Sequence, residues 1–363
     1  MILKAKDFKN ACKSILDALD TTLKIEISEK LELLCGDNKL VLNVTNGDYF
    51  VSVILDVEDD EEFKATIDAK KFLSLISKIT TNELELGVEG NALIVKANGT
   101  YKLPMSCSDG KLIGLKPIVI NNITSEFNID SDILLSIFNY NSKMMDTKGA
   151  SLDSKKRMCY IDEQGAITFN VGACVNNFTL EQPVKILITN KVVKLFKLFK
   201  DNSSVQFSIG FDEVNGEVKS KVKFDSGNIC ITSILPSDNL KAGIPVKAIR
   251  NLVENIYAYS INMDRVELSQ AIDRLLLLAE DKKDYKFNFE CDKLIISDLD
   301  SNSSEVISYT NTSIDTPYAA TLDLEVLKAT LDGCQEQYLT MYFGDGRAVI
   351  VSRGNVKNII PED

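Results

Sequence analysis

At 363 residues the chain is longer than one ordinary hydrophobic core supports and suits two or three domains. Its 45% hydrophobic and 26% charged residues exclude a disordered chain, and a formal charge of −12, from 41 basic and 53 acidic residues, argues against a surface coated all over in nucleic acid. No histidine and eight cysteines without a close pair exclude a Cys/His zinc site of normal spacing and the histidine-based nucleophile arrangements, and leave free thiols as the expectation.

Taken in order, residues 6–19 predict an amphipathic helix with Phe8, Cys12, Ile15 and Leu19 inward and Lys6, Lys9 and Lys13 on another face. Alternating runs predict strands at 24–27, 31–35, 40–45 and 49–57, broken at Gly36-Asp37-Asn38 and Asn46-Gly47-Asp48. A helix at 69–79 carries Lys70, Lys71 and Lys78; strands run on through 93–95 and 100–105, and 117–122 reads as a connector. The pattern restarts with a helix at 131–145, which carries Lys143, and strands at 158–161, 167–171 and 175–180.

The next stretch, 186–235, is the most informative. Val192, Leu195, Phe196 and Phe199 fall at the spacing of one helix face, while Lys191, Lys194, Lys197 and Lys200 recur every third residue with no acid among them. Strand-forming residues follow (Val205, Phe207, Ile209, then Val218, Val222, Phe224, Ile229 and Ile231), with turns at Asn215-Gly216 and Ser226-Gly227. Pro236, Gly243 and Pro245 mark 235–259 as a linker in which 246–256 has the makings of a short helix. A helix at 267–280 bearing Arg274, strands at 285–289, 294–297 and 306–309, a helix at 324–331 with Lys328 and strands ending at 348–352 complete the chain before Asn358-Ile359-Ile360-Pro361-Glu362-Asp363.

The informative stretch repeats. Ile67, Phe72, Leu84, Leu86 and Val88 match Ile188, Val193, Val205, Phe207 and Ile209 at a constant offset of 121, and those match Leu322, Leu327, Leu339, Met341 and Phe343 at an offset of 134. Gapless matches across a helix and the following strand set an architecture of three similar α+β domains.

No enzyme signature stands. A phosphate loop around Gly110-Lys111 would need glycine where Met105 stands. Asp298, Asp300 and Asn302 imitate the start of a calcium loop, but its glycine and glutamate positions hold Ser303 and Tyr309, so a polar hairpin turn is expected. No metal or other cofactor is expected. A lysine band on one helix is ordinarily a solvated face, but several such helices in an acidic chain, if they share a side, form a basic track that follows phosphates without reading sequence. The partner such a track fits is double-stranded DNA. No apolar run approaches a membrane span and the first residues lack a signal-peptide core, so a cytoplasmic location with no membrane partner is expected.

A chain of this length, in three similar domains with two helices each and basic helices facing inward, resembles the bacterial sliding clamp, the beta subunit of DNA polymerase III. The resemblance covers essentially the whole chain. Its most specific local matches are Ala65-Thr66-Ile67-Asp68-Ala69-Lys70-Lys71-Phe72, Thr100-Tyr101-Lys102-Leu103-Pro104, Ile272-Asp273-Arg274-Leu275 and the Ile360-Pro361 pair. It implies DNA-clamp domains at 1–121, 122–243 and 244–363, with helices lining the inside and antiparallel sheets outside. It also implies a head-to-tail homodimer ring, closed through Tyr101 and Leu103 of one subunit and Leu277 and Leu278 of the other. Four successive leucines, Leu275 to Leu278, cannot all face one way on a helix, which agrees with an interface there. The lysines named above, with Arg274, would face DNA.

The resemblance further implies a pocket for short peptides of the polymerase and clamp loader, matched here by Val171, Gly172, Val175, Pro236, Ile359, Ile360 and Pro361. At this pocket the chain departs from the pattern. Val171-Gly172-Ala173-Cys174-Val175 replaces Thr-Asp-Gly-His-Arg, the Gly-Arg-Phe-Pro linker motif is absent, and Ile-Ile-Pro-Glu-Asp replaces a Met-Pro-Met-Arg ending. A different peptide specificity, or none, is the expectation. The function implied is that of a non-enzymatic processivity factor. The alternatives are a clamp-fold adaptor that binds replication or repair proteins without forming a loaded ring, and an acid-dependent metal nuclease on the same scaffold.

Overall fold

The computed structural model describes residues 1–20, 25–58, 61–145, 153–214, 217–279, 283–309, 314–334 and 336–362. The expected Asn215-Gly216 turn, the start of the 24–27 strand at Lys24 and the helix end at Glu280 lie outside the described residues.

The elements come in three rounds, each a strand, a helix and three strands, twice over. The first is β1 (Ile2–Lys4), α1 (Ala5–Ala18), β2 (Lys30–Gly36), β3 (Lys39–Thr45), β4 (Tyr49–Asp56), β5 (Phe63–Asp68), α2 (Ala69–Lys78), β6 (Glu83–Glu89), β7 (Ala92–Lys96) and β8 (Thr100–Pro104). A small hairpin, β9 (Cys107–Ser108) and β10 (Lys111–Leu112), precedes the second round. That round is β11 (Asn122–Asp130), α3 (Ser131–Tyr140), β12 (Met158–Asp162), β13 (Gly165–Phe169), β14 (Ala173–Asn177), β15 (Lys185–Thr189), α4 (Asn190–Leu195), β16 (Ser204–Val214), β17 (Glu217–Asp225) and β18 (Ile229–Ile234). Two helices, α5 (Asp238–Ala242) and α6 (Val246–Glu254), lead to the third. It comprises β19 (Tyr259–Asp264), α7 (Arg265–Leu278), β20 (Asp284–Phe289), β21 (Lys293–Asp298), β22 (Ser304–Ser308), β23 (Tyr318–Asp323), α8 (Leu324–Leu331), β24 (Tyr338–Phe343), β25 (Ala348–Arg353) and β26 (Val356–Pro361).

Two compact units result. One holds residues 1–132 and 195–235, the other 133–194 and 236–363. The first contains the four-stranded sheet β1-β6-β7-β8 and the eight-stranded sheet β11-β16-β17-β18-β4-β3-β2-β5. The second contains the eight-stranded β15-β12-β13-β14-β26-β25-β24-β19 and the four-stranded β22-β21-β20-β23. All pairings are antiparallel, and each eight-stranded sheet joins strands of two rounds, at β18–β4 and at β14–β26.

The helices form where the repeat puts apolar residues on one face. In α1, Phe8, Ala11, Cys12, Ile15 and Ala18 are buried, and Phe8 meets Phe72 of α2 edge-on at 6.0 Å. In the second unit Leu268, Ala271, Ile272 and Leu275 of α7 share a core with Leu324, Leu327 and Leu331 of α8, closed by Phe289 stacked on Phe343 at 4.0 Å. Each fully buried phenylalanine contributes about 2–3 kcal/mol by transfer from water. Several helices start on an aspartate that ends the preceding strand. Asp68 accepts from the Lys71 amide, Asp264 from Val266 and Glu267, and Asp323 from Glu325 and Val326.

Several expectations are corrected. The strand at 24–27 is instead a 3-10 turn, Glu26–Glu29, because the Ser28 amide and hydroxyl both return to the Ile25 carbonyl. The helix at 131–145 is α-helical only to Tyr140 and tightens into a 3-10 turn, Asn141–Met144. In the linker after Leu235 the short helix expected at 246–256 forms as α6, and α5 is an addition. Asn358 to Pro361 belong to a sheet strand, β26. Three strands that lead into helices, β1, β11 and β19, are not among those expected; β11 and β19 begin at the last residue of the connector 117–122 and of the linker 235–259. The Asp298 segment is a hairpin turn as expected, its carboxylate accepting the amides of Asn302 and Ser303, each at 2.9 Å. All eight cysteines are free thiols. No helix among the described residues is long and apolar enough to cross a membrane.

The Asp264 cap gives a direct test. Its carboxyl lies below the ordinary carboxylate range because it accepts the amides of Glu267 and Val266 against the opposing effect of burial. A lowered folded-state pKa contributes stability that is present above the unfolded value and lost as pH falls through the folded one. Asp264→Ala therefore costs about 1 kcal/mol at pH 7, read as a lower denaturation midpoint at unchanged slope, and the difference from wild type shrinks in acid.

Candidate nucleic-acid interface

The basic helices of the first round are as exposed as the sequence demands. Lys6 and Lys13 on α1 and Lys70, Lys71 and Lys78 on α2 are exposed, with no carboxylate partner among the described residues. Lys9 is half-buried and donates to the Ile79 carbonyl, tying α1 to the end of α2. No acid lies within α2 or within 190–200, whereas α1 carries Asp7 and Asp17.

The lysine-rich segment 190–200 is α-helical to Leu195 and then a 3-10 turn, Phe196–Phe199. It passes from one unit to the other: Lys191 and Lys194 belong to the second, Lys197 and Lys200 to the first. Lys194 and Lys200 are exposed; Lys191 is half-buried and engaged. Lys197 pairs with Asp17 at 2.9 Å, and Lys200 lies 4.0 Å from Asp201. Lys13, Lys197 and Lys200 share a depression of about 530 Å³ with Asp7, Asp17 and Asp201, so in the first unit cations from two rounds meet with acids among them.

The third round differs. Arg274 on α7 is held by both oxygens of Glu305 on β22, at 2.7 Å each, which raises the pKa of the guanidinium and lowers that of the carboxyl. Burial works against the charge on Lys328, yet Asp273 at 2.7 Å and Asp332 at 3.1 Å hold its pKa above the ordinary value. Lys143, after α3, is exposed. Exposed lysines without a carboxylate partner among the described residues are thus found on α1 and α2 and at Lys194, whereas Lys197, Lys200, Arg274 and Lys328 each lie beside a carboxylate.

The residues assigned to a dimer contact lie on open edges. β8 is the last strand of its sheet, with Tyr101 and Leu103 half-buried on one face. On α7, Leu275 is buried and Leu276 partly so, but Leu277 and Leu278 are 84% and 66% exposed. The helix packs on β22, the edge of the other four-stranded sheet, where Val306 is also exposed, a residue the sequence reading missed. Its signal was available, since Val306 alternates with the buried Ile307 on a short strand.

The residues assigned to the peptide pocket differ in exposure. Val171 is exposed and Pro236 and Pro361 are half-buried, but Val175, Ile359 and Ile360 are 1%, 4% and 0% exposed. Gly172 is buried so tightly that a Cβ there would stand 2.5 Å from the Ile359 carbonyl and 2.8 Å from Val326. Ile360 faces the main core of its unit. Val175 and Ile359 face the other way, into a smaller cluster that Ile249 and Val253 of α6 cover. The linker helix α6 thus lies on that face.

No group of three or more Cys, Asp or Glu side chains among the described residues has the geometry to hold a metal ion.

The fold matches that of solved DNA sliding clamps over the whole chain. In particular, the whole chain is similar to DNA polymerase III subunit beta from Borrelia burgdorferi, covering 98% of that protein with a TM-score of 0.81 at 12% identity. It is also similar to the DNA polymerase sliding clamp of Bacillus subtilis (98% covered, TM-score 0.78, 14% identity) and to the DNA polymerase III beta chain of Streptococcus pneumoniae (98%, 0.79, 13%). No protein-family model and no curated protein matches the sequence. At these identities the likeness is one of fold.

Proposed function

We propose that this chain is a DNA sliding clamp, a non-catalytic processivity factor that closes as a head-to-tail homodimer around duplex DNA and tethers a replicative polymerase. The observation that carries the reading is the pattern of sheet edges. The fourth strand of the first round, β4, pairs with the last strand of the second, β18; the fourth strand of the second, β14, pairs with the last of the third, β26. The same rule continued gives β22 to a β8, which here stand at the edges of separate four-stranded sheets. Another copy of the chain supplies the missing strand at each end, and two copies close the series. The other edge strands (β1, β5, β11, β15, β19, β23) each run directly into a helix and are committed. An open strand edge left unpaired is a liability, and Leu277, Leu278 and Val306 offer apolar surface beside it. The domain division at 1–121, 122–243 and 244–363 belongs to this reading, since it places each joint between consecutive domains.

The lysines supply the second support. Contacts from α1, α2 and 190–200 to backbone oxygens give a grip that carries no sequence information, as sliding requires. Tethering makes each return of the polymerase to the primer end an intramolecular event at high effective concentration, so weak contacts with polymerase and loader suffice.

Three experiments bear on this. Protein loaded on nicked circular DNA is lost when the circle is linearised, because a ring slides off an end; retention on the linear product sinks the proposal. Leu277→Asp shifts the sedimentation of a dimer toward monomer, weakening association by roughly tenfold or more, equivalent to about 1.4 kcal/mol. A wild-type chain that is already monomeric at micromolar concentration would instead favour the adaptor reading. Replacing Lys70, Lys71 and Lys78 by alanine flattens the slope of log affinity for duplex against log salt by up to about three, at nearly one phosphate per lysine. Arg274→Ala with Lys328→Ala changes that slope by less than about one, because carboxylates already hold both cations.

A further inference from the structure

We propose that α6 is a latch: a segment of this chain seated on a docking face for partner helices, which a partner reaches by displacing it. The proposal rests on the tether reading above, and concerns how the partner site of such a tether is regulated.

The face itself is defined by strand alternation. On β14, β25 and β26, Cys174, Val349, Val351 and Ile360 point into the main core of the second unit. Their neighbours Ala173, Val175, Ala348, Ile350 and Ile359 point the opposite way and, with Ile167 of β13, make a separate apolar cluster. Ile249 and Val253 of α6 cover it, with Val246, Leu252 and Tyr257 half-buried around them. Val246, Ile249 and Val253 fall at i, i+3 and i+7, so the cover is an amphipathic helix in a groove.

The attachment is local and light. The helix has nine residues and its N-cap position, Pro245, provides no side-chain hydrogen bond. Gly243 and Pro245 precede it, and Ile256, 91% exposed, follows it. Polar anchoring consists of Arg250 on Asp162 and Gln164 (2.6 and 2.7 Å), Lys357 on the Val253 carbonyl (3.1 Å) and Asn255 on Asp345 (3.1 Å). A helix this short is marginal without the surface it lies on. Segment 105–121, which links the first two rounds, has no helix; there the Leu115 amide on Glu32 and the Ile113 carbonyl on Thr66 hold extended chain against the sheet. The helix is therefore an addition at one joint and not a requirement of the repeat.

An incoming segment that takes the place of α6 must repeat its chemistry: aliphatic side chains at i, i+3 and i+7, and a cation for the Asp162 carboxylate. The test uses full-length protein and, as probe, a fluorescent synthetic peptide with the sequence of residues 244–257. In wild type, hydrogen exchange of the α6 amides runs roughly a hundredfold or more faster than that of β14 and β26, since the latch opens without the sheet. In Ile249→Asp/Val253→Asp, which weakens the latch, the peptide binds saturably and roughly tenfold or more tighter than to wild type. Equal exchange in α6 and the strands overturns the proposal whether or not the variant folds. So does a folded variant that binds the peptide no better than wild type. Neither result touches the linearisation assay, and retention on linear DNA removes the tether while leaving the exchange result intact.

Discussion

The structure depends on pairing between strands far apart in sequence. Val53 of β4 lies opposite Ile229 of β18, and Ala173 of β14 opposite Ile359 of β26, so each eight-stranded sheet is assembled from two rounds. Every backbone amide in such a joint needs its partner, because an unpaired buried group costs about as much as a lost hydrogen bond. This is why the compact units do not follow the chain in thirds. The second round gives residues 195–235 to one unit and 133–194 to the other, since its two sets of strands complete different sheets. Among the described residues, the same demand leaves β8 and β22 paired on one side only, whereas their equivalents in the other rounds are paired on both.

Charge is distributed by the same logic. Buried or half-buried carboxylates serve the linking segments: Glu32 takes the Leu115 amide and Lys64, Asp212 takes the Asn121 amide and Lys221, and Asp162 takes Arg250. A net charge of −12 is therefore compatible with helices that carry mostly lysine on their exposed faces. The third round departs from this, with α7 and α8 interleaving Glu267, Asp273 and Glu325 among their cations.

The repeat was legible because one demand recurs three times. Ile67, Ile188 and Leu322 end strands, Phe72, Val193 and Leu327 anchor helices, and Leu84, Val205 and Leu339 begin the next strands, all nine nearly or wholly buried. Local competition hid the rest. Ile25-Glu26-Ile27-Ser28 alternates like a strand, but a hydroxyl able to bond three residues back made a turn. Lysines every third residue fit the tighter 3-10 winding that takes over at Phe196, a signal present in the spacing. β26 was obscured because Asn358, fully buried, interrupts its apolar pattern. That α6 would cover Val175 and Ile359 was not legible, because residue types cannot tell which face of a strand a linker will lie on.

Asn358 also explains how a light cover and a firm joint can share one strand. On its core side β26 meets Arg353, 3% exposed, whose guanidinium donates to Asn358, to Cys334 and, at 2.8 Å, to the Thr330 carbonyl, and lies 4.9 Å over the Tyr140 ring. No carboxylate pairs with it among the described residues, so carbonyl, amide and aromatic groups from α8, β26 and α3 must all stay in place to keep this cation buried. On the opposite side Ile359 belongs to the smaller cluster under α6. Loosening α6 exposes aliphatic surface but removes no partner from Arg353 and no hydrogen bond from β14. The joint between rounds is thus insulated from the surface above it, and a chain built this way can uncover its apolar face without opening its sheet.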